Sequence, residues 1–139
     1  MKSYYFALMT ALVWGLVPAF EKIGLSKLSP ASAIFVRCLS VSLGALTLFL
    51  LKPQLLGELA HAPVKNISLI VAAGFTANFL GQLLFYNALK GGDVSKVVPI
   101  AGAYPLVSFL MGILLLGEKI TVAKSVGIGF ILVGLFFLR

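Results

Sequence analysis

The chain has 139 residues, is 60% hydrophobic and carries a net charge of +7, with a mean hydropathy of +1.10. Only 11% of it is charged, against roughly 25% in an average soluble domain, and a water-soluble fold this small leaves too much surface wet to hide so much apolar area. The basic excess does not point to nucleic acid as a partner, because the Lys and Arg residues stand singly at the ends of apolar segments and form no basic face. The charges cluster about 20 residues apart, the length a helix needs to cross the roughly 30 Å hydrocarbon core of a bilayer. The sequence therefore predicts an all-α integral membrane protein with five transmembrane helices, at about 4–20, 30–51, 67–89, 94–116 and 120–138.

The first segment, about Tyr4 to Phe20, places Ala7, Ala11, Gly15 and Ala19 on one face, where small residues let a neighbouring helix approach. Trp14 and Pro18 interrupt it. Glu21, Lys22 and Lys27 read as its exit loop. The second segment opens on Ser29-Pro30, a cap followed by a proline where a helix tolerates one. Arg37 lies seven residues beyond Pro30, roughly 10 Å into the span. A charge at that depth either snorkels to the interface or needs a partner. Glu21 is the candidate ion-pair partner, and an anionic solute group is the alternative. The loop from Lys52 to Asn66 is the longest and holds the single His61.

The third segment carries Asn78, Gln82 and Tyr86 at a spacing of four, a polar stripe on an apolar helix. In hydrocarbon an unsatisfied polar group costs several kcal/mol. These side chains therefore face other helices, as interhelical hydrogen bonds, or line a solute pathway with Trp14 and Tyr104. Gly91-Gly92 ends the segment. In the fourth, Pro99 and Pro105 each remove a backbone hydrogen bond, which predicts a kinked helix able to act as a hinge. The fifth runs to the end of the chain, its Gly127 and Gly134 read as packing positions.

Cys38 stands alone in an apolar segment, so no disulfide framework is expected. No nucleophile has a base nearby, no cluster of metal ligands occurs and no phosphate-binding loop is present, so neither an enzyme nor a bound metal or cofactor is expected. No Asp or Glu lies mid-segment, which leaves facilitated diffusion, exchange, or coupling through a carboxylate at a helix end. Five crossings put the termini on opposite sides. Of the eleven Lys and Arg residues, five (Lys2, Lys52, Lys65, Lys119, Lys124) then fall on the N-terminal side and six (Lys22, Lys27, Arg37, Lys90, Lys96, Arg139) on the other. The positive-inside rule requires an excess. Either a few residues fix the orientation, or the chain inserts both ways round.

Trp14-Gly15, Lys22, Arg37, Tyr86 with Ala88-Leu89, Pro99, Tyr104-Pro105, Gly117-Glu118, Gly127 and Gly134 occur in an order that resembles the EamA-type half of the drug/metabolite transporter superfamily. The resemblance covers essentially the whole chain. It implies one five-helix repeat of a fold that typically carries two in opposite topology around a central cavity, in proteins that move small metabolites across a bacterial or archaeal plasma membrane. A single repeat is then expected to pair with a second copy, most simply antiparallel. The leading expectation is a homodimeric permease in the lipid bilayer. The alternative is a non-transporting subunit, or a component of a lipid-linked-sugar flippase, packed against a partner protein.

Overall fold

Apolar residues spaced for lipid contact, few breakers and well-placed caps make almost every segment helical. The computed structural model describes residues 2–138. Arg139, counted above among the basic residues, lies outside the described residues, as does the side chain of Lys2. The elements are α1 (Lys2–Leu25), α2 (Pro30–Leu51), α3 (Leu55–His61), α4 (Val64–Phe75), a π-helical segment (Thr76–Gly81), α5 (Gln82–Gly91), α6 (Val94–Ala101), α7 (Tyr104–Leu116) and α8 (Val122–Phe137). No strand occurs among the described residues. Among the described residues, four stretches are long and apolar enough to cross a membrane: Ser3–Gly24, Pro30–Leu51, Val64–Gly91 and Val94–Leu116. α8, with 16 residues, is about 24 Å long and reaches most of the way. The protein is an all-α membrane protein with about five spans.

The chain divides into two compact units, Ala19–Lys90 and the remainder up to Pro18 and from Gly91 onward. In the first, α1 does not end at Phe20: Glu21 and Lys22 belong to its final turns. Ser29 caps α2 by accepting the Ser32 N–H at 3.0 Å, with Pro30 in the first turn. The loop that follows is not bare chain but holds α3. The third span is one run of α4, the π segment and α5, and its 28 residues amount to about 42 Å, more than the hydrocarbon core requires. The side chains buried here are Leu25, Ile34, Tyr86 and Leu89. They come from the C-terminal end of α1, the N-terminal part of α2 and the C-terminal part of α5, so the core sits at one end of this unit. The same end is held by Lys22, whose Nζ donates to the Leu89 carbonyl at 2.6 Å, and by Lys90, whose Nζ donates to the Leu28 carbonyl at 2.9 Å. Carbonyls at a helix C-terminus lack intrahelical donors, and a lysine supplies one.

In the second unit the fourth span is broken between the two prolines. α6 contains Pro99 and ends at Ala101, and Pro105 lies in the first turn of α7. The Gly102 N–H closes α6 on the Val98 carbonyl at 2.7 Å, and a Cβ at Gly102 would stand 3.0 Å from that oxygen. Gly117 ends α7 at φ +64°, and the Glu118 N–H reaches back to the Gly112 carbonyl at 3.0 Å. The Gly117 N–H closes on the same carbonyl, a six-residue closure with a left-handed glycine. The Glu118 carboxylate then pairs with Lys124 at 2.8 Å, and Thr121 caps α8 through the Lys124 N–H.

Candidate functional site

Glu21, four residues before the end of α1, lies about 6 Å inside that helix end. Arg37 is about 10 Å into α2 from the same end, and Tyr86 and Gln82 stand five and nine residues before the close of α5. The lysine contacts and the small core fix these three helix ends together, which sets the four side chains at one level. Glu21 Oε1 accepts three hydrogen bonds there: from Arg37 Nη1 at 2.7 Å, Gln82 Nε2 at 2.9 Å and Tyr86 Oη at 3.1 Å. The Glu21 side chain is 10% exposed and that of Arg37 31%. A charge-assisted bond this short is among the stronger kinds. A carboxylate oxygen offers about two lone-pair sites, so an oxygen with three donors is saturated.

The arginine is the reverse case. Its Nε is buried and has no hydrogen-bond partner. Leaving a buried donor without an acceptor costs about 1–3 kcal/mol, so the guanidinium is held by one carboxylate oxygen while another of its donors goes unused. Beside the pair lies an open cavity of about 400 Å³, lined by Glu21, Arg37, Tyr86 and Ser40 and by apolar side chains including Phe20 and Leu28. Its size is at the small end of ligand pockets.

The structure thus brings together Glu21, Arg37, Gln82 and Tyr86. Asn78 sits in the π segment near the middle of the third span, exposed and without a hydrogen-bond partner among the described residues. Trp14 and Tyr104 belong to the other unit, where both are exposed. Pro99 and Pro105 flank the break in the fourth span. Sequence reasoning did not single out Ser40, Lys22 or Lys90 as part of this arrangement. Lys22 reads as a loop charge because the acceptors it meets are backbone carbonyls, 67 and 68 residues away, which leave no mark in side-chain spacing. Among the described residues no three His, Cys, Asp or Glu side chains gather as metal ligands.

The model of the EamA-like transporter family matches residues 1–139. An uncharacterized transporter in the cobO 3′ region of Sinorhizobium sp is 26% identical over 96% of this chain and 94% of its own length. An uncharacterized protein of Methanocaldococcus jannaschii is 28% identical over 94% of this chain and 91% of its own. An uncharacterized transporter of Haemophilus influenzae is 28% identical over 96% of this chain, which spans only 42% of that relative. No solved structure gives a significant match.

Proposed function

Because the chain belongs to the EamA-like transporter family, we propose that it is a permease for a small metabolite in a plasma membrane, working as a homodimer of oppositely inserted copies. The observation that carries the reading is the polar cluster on Glu21. An ion pair with two further donors, beside a cavity and inside lipid-crossing helices, is costly to place there unless it serves a solute.

Pairing is supported by three separate features. The chain spans about two fifths of the Haemophilus influenzae transporter but nearly all of the Sinorhizobium sp one, so single-repeat and longer relatives both occur. The Asn78 amide is exposed near the middle of the 28-residue span, a position that costs several kcal/mol in hydrocarbon and that a second copy would cover. The basic residues divide five to six between the two sides, which gives no preferred orientation. In this reading Asn78, Gln82 and Tyr86, with Trp14 and Tyr104, line the pathway. The break at Gly102 between Pro99 and Pro105 lets the two halves of the fourth span move separately.

The test is efflux from proteoliposomes loaded with the small-metabolite fraction of a cell extract, read by mass spectrometry. The permease reading expects specific metabolites to leave, and expects Gln82→Leu and Asn78→Leu to insert normally but abolish the efflux. No efflux from the purified chain, together with stoichiometric co-purification of another membrane protein, would point to the subunit role instead.

A further inference from the structure

We infer that the cavity beside Glu21 and Arg37 takes a small organic anion with an apolar body, whose anionic head displaces Glu21 from Arg37. This deepens the permease reading and rests on it for its physiological meaning, though not for its test. The cluster is satisfied on one side only. Glu21 Oε1 already holds three donors, which leaves an incoming ammonium group only Oε2, and such a group would bring no acceptor for the buried Arg37 Nε. Arg37 has the opposite shortage: its buried Nε has no acceptor, and its Nη1 donates to one oxygen of Glu21. A carboxylate or phosphate group presents two oxygens to a guanidinium fork, which is the pairing arginine favours. The incoming head therefore supplies the acceptor that the protein lacks, and Gln82 and Tyr86 stay behind to hold Glu21 in place.

The surroundings agree. The end of the unit formed by the close of α1, the start of α2 and the close of α5 carries Lys22, Lys27, Arg37 and Lys90 against Glu21, a local excess of positive charge that draws anions. The remaining walls include Phe20, Leu28 and Val36, and the space of about 400 Å³ suits a short hydrocarbon body. Ser40 also lines the cavity, but its one hydroxyl hydrogen already goes to the Val36 carbonyl at 3.1 Å, so the head group relies on Arg37 for its donors.

The experiment uses the purified full chain in lipid nanodiscs and three probes of one length: hexanoate, hexylammonium and hexanol. Binding is read by calorimetry and by the shift in thermal unfolding. Hexanoate is expected to bind and the other two are not. Arg37→Lys keeps the charge but loses the fork, and is expected to weaken hexanoate at least severalfold. Glu21→Gln removes the competing carboxylate while keeping an acceptor for Gln82 and Tyr86, and is expected to tighten hexanoate on the order of tenfold. Hexylammonium binding that Glu21→Gln abolishes would overturn the inference, as would equal binding of all three probes or of none. Repeating the titration with anionic lipid in the disc identifies the source of the head group. A weaker apparent affinity marks a lipid headgroup as occupant of the same site, and an unchanged one marks a free solute. Efflux is measured in parallel. Hexanoate binding without any efflux would leave the inference standing and remove the permease role. Efflux of metabolites from a protein that does not bind hexanoate would do the reverse.

Discussion

Replacing Glu21 by Leu removes the single acceptor that Arg37, Gln82 and Tyr86 share. Gln82 and Tyr86 can turn toward other partners, but Arg37 is left about two thirds buried with a full charge and now two unused donors. Breaking a buried ion pair by deleting one partner costs about 3–5 kcal/mol. Arg37 keeps 31% exposure, so the lower end, about 3 kcal/mol, is the expected cost. Replacing both charges, Glu21→Leu with Arg37→Met, removes the uncompensated charge together with its partner, and such exchanges are often neutral or stabilising. The double variant is therefore expected to recover most of the loss, leaving a coupling energy of at least about 2 kcal/mol. Reversible unfolding in mixed micelles, followed for wild type, both single variants and the double, gives the cycle. Additive losses, with the double variant less stable than either single one, would refute the argument that this pair is a mutual and buried charge compensation. The same double variant should insert and remain folded while losing efflux, which separates stability from function.

Gly102→Val puts a branched side chain where a Cβ already stands 3.0 Å from the Val98 carbonyl oxygen. It should cost about 1–3 kcal/mol and lower the unfolding midpoint, whereas Gly15→Ala, inside α1 with open space around it, should leave the midpoint unchanged or raise it slightly, by about 0.5–1 kcal/mol. Gly117→Ala meets no neighbouring atom but must hold φ +64°. Its cost is conformational alone, about 1 kcal/mol, and a larger loss in the same assay would mean that the α7–α8 turn is also packed. Asn78→Leu should leave insertion intact and weaken self-association, read by crosslinking in membranes across a dilution series. Undiminished crosslinking would take Asn78 out of the interface.

Much of the fold was legible because the bilayer imposes a length on every span. The charge clusters mark the segment ends, and Ser29-Pro30 marks the start of α2 through a cap whose chemistry is local. Glu21 and Arg37 stand out as a pair for the same reason, since a charge 10 Å inside a span demands an explanation. The π segment Thr76–Gly81 was not legible. It depends on one extra residue per turn of hydrogen bonding, and TANFLG carries no signature that separates it from the α-helix on either side. Nor was the position of the break in the fourth span. The prolines announce missing hydrogen bonds, but the chain stays helical through Pro99 and opens at Gly102, where the absence of a Cβ lets the backbone close tightly. The contacts of Lys22 and Lys90 leave no trace in the sequence, because their acceptors are carbonyls brought near only by the tertiary fold.

The central claim is that two copies of this chain face each other in opposite orientations, and topology tests it most directly. Two fusions would carry, after Arg139, a reporter active only in the cytoplasm or one active only on the far side of the membrane. The account predicts strong signal from both, at comparable protein levels, because five crossings with balanced charge insert either way. Signal from one reporter alone would establish a single orientation, exclude a self-made inverted pair, and send the search to an oppositely oriented partner protein.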